Sequence, residues 1–168
     1  MQTLTDNAAK AWLNHRGITV DSPRNVRFVE RKPAIIHLSG GQSNDSSAYL
    51  AANLVGILDK EKDWLLWLTD FSIGTTEVEE IGWTIVESVL QSKLELDSSA
   101  FLFNQKETPG LKAVLITPLL FNWDALLVNA DGKTFVAIDH DHGVTIYTLD
   151  EQLTNEIPSS QLQTWIRR

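Results

Sequence analysis

The sequence predicts an α+β fold: a mostly antiparallel sheet with a C-terminal three-stranded meander over about 123–149, and helices packed on it. Three observations carry this expectation. Two alternating runs, Trp123–Asn129 and Thr134–Asp139, flank Asp131-Gly132, a strong short-range signal for a two-residue hairpin turn. A third run, Val144–Leu149, follows the polar break at His140–Gly143. Elsewhere, segments with apolar residues at helical spacing are mixed with short strand-like runs, and most of those runs are hairpin-connected.

Length and composition bound the rest. The 168 residues suffice for one core of ordinary size and fall short of two comfortable domains, so a single domain over 1–168 is expected. Apolar residues make up 43% of the chain, which argues for a globular rather than a disordered protein. No apolar run approaches the ~20 residues that span a bilayer. Met1–Asp6 is polar and no basic-then-apolar segment follows, so the expected setting is cytoplasmic. With no cysteine, disulfides and thiolate chemistry are excluded. The net charge of −8, from 14 basic and 22 acidic residues, opposes a phosphate backbone. Arg24, Arg27, Arg31 and Lys32 form the one modest basic stretch, with Glu30 inside it. An acidic surface suits a basic protein partner better.

Taken in order, the first helix is expected over Thr5–Arg16, where Ala8, Ala9, Trp12 and Leu13 form a stripe, Thr5 or Asp6 caps, and Gly17 stops the helix. Ile18–Val20 and Val26–Glu30 read as short strands around Asp21-Ser22-Pro23, and Ala34–Leu38 as another. Ser39–Asp45 is loop-like, and a helix over Ser46–Leu58 follows with Leu50, Leu54, Ile57 and Leu58 inward. Strand, Gly-rich loop and helix in that order can cradle a phosphate, yet no Lys-Ser/Thr follows the glycines, and a plain connection is the simpler reading.

Asp63–Thr69 alternates little, as a strand buried on both faces does. Glu77–Lys93 is the best helix, with Thr76 and Glu79 as a capping box and Val78, Ile81, Gly82, Ile85, Val89 and Leu90 on one side. Trp83 falls off that stripe, which makes it a candidate for exposure and for an interface. Ala100–Phe103 reads as a strand, Lys106–Gly110 as a turn, and Leu111–Ile116 as a further strand ended by Pro118. A polar segment runs from Leu149 to Ser160, and a short helix over Gln161–Ile166 docks Leu162, Trp165 and Ile166.

The hairpin register can be extended from its turn. Val128 falls opposite Phe135, Leu126 opposite Ala137, and Asp124 opposite Asp139. Side chains alternate faces, so Asp124, Leu126, Val128, Phe135, Ala137 and Asp139 share one face. Trp123, Ala125, Leu127, Val136, Ile138 and His140 share the other. Both faces are largely apolar, so the hairpin should be central. Two carboxylates placed opposite each other call for compensation by solvent, a raised pKa, a basic partner or a cation.

Asp139-His140-Asp141-His142 is the densest set of ligand-type side chains, and Asp124 adds a carboxylate from the neighbouring strand. Carboxylate with imidazole suits Zn, Mn or Fe, with His15 or His37 as further ligands if the fold brings them near. The same five residues, Asp124, Asp139, His140, Asp141 and His142, would serve an acid/base or metal-dependent enzyme, because close carboxylates split their pKa values. Against this stand a hydrated acidic turn with side-chain-to-backbone bonds, and the lack of HExxH, EF-hand, GxSxG or Walker patterns. No cofactor is expected.

Leu120-Phe121-Asn122-Trp123-Asp124-Ala125-Leu126-Leu127, followed by Phe135-Val136-Ala137-Ile138-Asp139-His140-Asp141, resembles a pattern in small uncharacterised bacterial proteins. There an aromatic-x-Trp-Asp-Ala-x-Leu strand precedes a strand ending in Ser-His-Asp. Leu68-Thr69-Asp70 with Ile73-Gly74 and Glu77 is similar to their Trp/Leu-Thr-Asp-x-Gly segment. Asp139 stands where that family has serine. Some small acidic bacterial proteins of this layout are immunity or accessory proteins for toxins, so the resemblance implies association and supplies no catalytic residues. The expectation is a non-enzymatic protein that binds a basic partner; a self-associating subunit and the enzyme above are the alternatives.

Overall fold

The computed structural model describes residues 1–22, 25–29, 32–39, 44–57, 63–70, 77–91, 99–140, 143–159 and 161–166. Its frame is a seven-stranded antiparallel sheet in the order β1-β6-β5-β7-β8-β9-β4. Here β1 is Gln2–Leu4, β4 Ala34–Ser39, β5 Trp64–Asp70, β6 Ala100–Phe103, β7 Asp124–Asn129, β8 Thr134–Asp139 and β9 Gly143–Thr148. A separate hairpin pairs β2 (Ile18–Ser22) with β3 (Asn25–Phe28). Helices α1 (Asp6–Asn14), α2 (Asn44–Ile57), α3 (Glu77–Leu90), α4 (Thr108–Phe121) and α5 (Glu151–Glu156) complete the described elements, with short 3-10 turns at 105–107, 157–159 and 161–165. The α+β fold, with helices on a mostly antiparallel sheet, stands as expected.

The β7–β8 hairpin sits where its alternation places it. Val128 pairs with Phe135 and Leu126 with Ala137. Trp123, Ala125, Leu127, Val136 and Ile138 enter a large core beneath α2, α3 and α4, together with Trp64, Leu66, Phe101 and Leu115. Leu126, Val128, Phe135 and Ala137 enter a smaller core with Ala9, Leu13 and Ile18 of α1 and β2. One hairpin thus forms the floor of two cores, which is why neither of its faces is polar.

The turn itself is longer than the two residues expected. Gly132 alone takes a positive φ, +68°, and its N–H donates to Asn129 O at 2.9 Å. The Asp131 carboxylate accepts from Lys133 N at 2.9 Å. A side chain on Gly132 would come within 2.8 Å of Arg16 Cβ, so the glycine also lets α1 close over the turn. Arg16 fixes that closure: Nε donates to Ala130 O at 2.8 Å, Nη1 donates to Trp12 O at 3.0 Å, and the guanidinium lies 3.5 Å over the Trp12 ring.

α1 begins where Thr5 Oγ1 accepts from Ala8 N at 3.3 Å, and Gly17 follows it at φ +71°. Ala9 and Leu13 are its buried residues. The Asp6 carboxylate accepts from Trp67 Nε1 at 3.0 Å and from Ser99 Oγ, tying the helix to β5. Trp67 is core, as expected, whereas Trp12 is only half-buried.

Residues 108–121 overturn the expected turn and strand. They form α4, because Leu111, Val114, Leu115 and Leu119 recur at helical spacing and are buried. Pro109 reads as punctuation in sequence but fits the first turn of a helix, where its missing N–H would have had no partner. Pro118 lies within the helix, which ends at Asn122 in the left-handed region, φ 55°. Two further elements escape the expectation. β1 forms from Gln2–Leu4 against β6, and α5 starts at Asp150, whose carboxylate accepts from Gln152 N and Leu153 N. The expected helix at 161–166 is a 3-10 turn that buries Leu162 and bridges Ile166 to Leu38.

α3 is rotated relative to expectation. Gly82, Val86 and Leu90 face inward, while Ile81 and Ile85 are 55% and 38% exposed. The cause lies at Gly82, where a Cβ would stand 2.9 Å from Phe121 Cδ2 and 3.0 Å from Trp123. Only a glycine lets the helix approach these rings so closely. Its capping residue Thr76, Leu58, the loop at 40–43, and Arg24 and Arg31 of the basic stretch lie outside the described residues.

Candidate functional site

The end of the sheet opposite the β7–β8 turn gathers the carboxylates. β7 starts there at Asp124, β8 finishes at Asp139, and β9 starts at Gly143. Asp124 is 5% exposed, and its backbone pairs with Asp70 across a bulge between Leu68 and Asp70. A buried carboxylate needs hydrogen bonds, and His140 supplies two to one oxygen: its backbone N–H donates to Asp124 Oδ1 at 2.7 Å, and its Nδ1 lies 2.9 Å from the same atom. An ionised carboxylate only accepts, so in that state Nδ1 carries a proton, and in the neutral ring Nε2, across from it, holds the lone pair. The His140 side chain is 47% exposed.

Asp139 turns elsewhere. The β7–β8 ladder runs to Ala125↔Ile138, one step short of the aspartates. The Asp139 carboxylate folds over Gly143, its register partner in β9; Oδ2 lies 2.7 Å from the point a Cβ would occupy. For Asp124 the compensation expected of two facing carboxylates is local, supplied by the backbone and ring of His140.

Asp141 and His142 lie outside the described residues. Neither other histidine joins the pair: His37 sits on β4, two strands from β8, with Nδ1 3.1 Å from Thr145 Oγ1. His15 ends α1 beside Arg16, at the turn end of the sheet. Among the described residues no group of three or more His, Cys, Asp or Glu side chains could hold a metal ion. An open cavity of about 420 Å³ lies near the turn, lined by Arg16, Phe28, Val29 and Lys133 among others.

Trp83 is not the exposed aromatic its helical position suggested. It is half-buried and packs on Trp123, with ring centroids 6.3 Å apart, while Phe121 meets Trp123 at 5.7 Å. The rotation of α3 exchanges it for Ile81 and Ile85, which lie one turn apart on the outer surface. Sequence reasoning missed these two because the apolar arc of this helix is wide and both lie towards one edge of it. The segment EVEEIGWTIVESVL carries four glutamates and no basic residue. No helix among the described residues is long and apolar enough to cross a membrane. Compared with known proteins, the chain matches no family model, no curated protein and no solved structure.

Proposed function

We propose that this protein acts in the cytoplasm by binding another, basic protein, in the manner of an immunity or accessory protein that neutralises a toxin. The contact is the outer face of α3. The observation that carries this reading is the exposed pair Ile81 and Ile85 on a helix with four glutamates and no basic residue, in a chain of net charge −8. Scattered exposed apolar residues are ordinary, but two on adjacent turns of a helix rich in glutamate suit a partner that offers an apolar contact inside a basic rim. The test is capture from lysate of the source cell by the tagged chain and by an Ile81→Lys/Ile85→Lys variant, at low and high salt. The wild type should retain one stoichiometric basic protein that the variant and high salt both release. Equal recovery on both chains, or none on the wild type, rejects the reading.

A second reading, acid/base chemistry, is favoured by one observation: buried Asp124 orients the imidazole of His140 through Nδ1. Long-range proton–nitrogen spectra should show His140 protonated at Nδ1 in the wild type and a mixture of tautomers in Asp124→Asn. A wild-type ring protonated at Nε2 alone removes this reading.

A further inference from the structure

The open cavity of about 420 Å³ beside the β7–β8 turn is as large as small-molecule pockets, which span about 300–1,000 Å³. Distant parts of the chain wall it: the end of α1, the end of the β2–β3 hairpin, the β7–β8 turn, and Leu149 just past β9. Backbone hydrogen bonds hold these parts in place. Val29 N donates to Gly17 O, Gly132 N to Asn129 O and Leu149 N to Lys133 O, each at 2.9 Å. The walls therefore stand ready without a ligand.

Arg16, in this wall, has donors that the fold leaves over. A guanidinium carries five N–H groups. Nε and one hydrogen of Nη1 go to Ala130 O and Trp12 O, so one donor on Nη1 and both on Nη2 remain. Both partners are carbonyls, and among the described residues no carboxylate pairs with Arg16. Burial, unopposed by an acid, lowers its pKa. A charge partly withdrawn from water calls for a counter-charge. Lys133 lines the same cavity, as does Asp131, whose carboxylate accepts from Lys133 N. Two cations and one carboxylate leave a positive excess there, in a chain whose net charge is −8. Apolar surface adjoins it: Phe28, anchored on Phe135 with ring centroids 5.1 Å apart, Leu149, and Val29, which is 66% exposed.

We propose that this cavity binds a monocarboxylate with an apolar body, its carboxylate held by Arg16 and Lys133 and its body lying on Phe28, Val29 and Leu149. The planar fork of an arginine matches a carboxylate and gives stronger, charge-assisted hydrogen bonds. One negative charge balances the excess of the cavity, whereas a phosphate dianion would meet Asp131 and the field of an acidic chain. The apolar wall disfavours a ligand that is polar throughout. This site lies at the turn end of the sheet and does not rest on the reading of α3.

The experiment is titration of the isotope-labelled full chain with benzoate, and separately with benzamide and inorganic phosphate, read from amide chemical shifts. Benzoate should give saturable shifts at Gly17, Val29, Gly132 and Lys133, with a Kd of about 0.01–1 mM. Benzamide, which has the same shape without the charge, and phosphate should each bind at least about tenfold more weakly. Arg16→Gln should weaken benzoate at least about tenfold, and Lys133→Gln about threefold. Arg16 also braces the turn, so if Arg16→Gln does not fold, the exposed Lys133→Gln and the wild-type comparison of acid with amide decide the matter. Acetyl-Gly-Phe carries the same carboxylate at a peptide C-terminus. Tighter binding of benzoate assigns a free acid, the reverse order a peptide end, and either upholds the site. Benzoate shifts that do not saturate or fall elsewhere, benzamide or phosphate binding as tightly as benzoate, or unchanged affinity in Lys133→Gln overturns the proposal.

Discussion

Asp124 shows how a single residue reconciles charge with burial. Its carboxylate stays inside the protein because one oxygen collects both the backbone and the ring of His140. Tyr147 presents the opposite case, a group kept neutral by its surroundings. It stacks on Phe135 at 4.5 Å, and burial raises its pKa above the ordinary value of 10.0. The sign follows from linkage. Below pH 10 the phenol is neutral in both folded and unfolded chains and contributes no slope. Above it the unfolded chain ionises first, so stability falls as pH rises towards the raised folded value. Tyr147→Phe, which keeps the stack, should therefore lose less thermal stability than the wild type between pH 9 and 11. Melting curves that stay parallel across that range would show that the phenol carries no such linkage.

At the scale of elements, the α3–α4 contact depends on an absent side chain. Alanine favours a helix over glycine by about 1 kcal/mol, so Gly82→Ala would stabilise an exposed helix. Here its Cβ would press on Phe121 and Trp123 at 2.9–3.0 Å, and overpacking costs about 1–3 kcal/mol. The expected outcome is a lower melting temperature with an altered near-ultraviolet signal from the Trp83–Trp123 pair; a higher melting temperature would contradict the packing described. The same contact marks a limit of what the sequence discloses. The β7–β8 register was legible because Asp131-Gly132 centres the turn; with both faces apolar, the alternation alone would not have fixed it. The inner face of α3 was not, because Ile81, Trp83, Ile85, Val86, Val89 and Leu90 spread over an apolar arc too wide to fix which part of it faces inward, and a glycine decides. α4 was misread because Pro109-Gly110 looks the same whether it ends one element or begins another. Of the candidate site, the placement of Asp124 and Asp139 at one strand end followed from register, but its pairing with His140 rests on the chain bending after β8.

For the whole molecule, charge and apolar surface are unevenly distributed. α3 combines the exposed Ile81 and Ile85 with four glutamates and no basic residue in one segment, while strands β4 and β9 carry no Asp, Glu, Lys or Arg. Binding of a basic partner at this helix should consequently weaken as ionic strength rises, because screening reduces the attraction.

The strand order also governs how the molecule is made. β4 has no sheet partner until β9 exists, and His37 and Thr145, which meet across that pair, are 108 residues apart in sequence. Arg16 must likewise wait for Ala130, 114 residues further on. At a synthesis rate of about 5–20 residues per second, the N-terminal elements emerge several seconds before the strands they complete. Contacts this distant in sequence also place folding towards the slow, millisecond-to-second end for single domains. For that interval β4 has no partner on either edge, so the growing chain exposes a strand that the finished sheet pairs along one side.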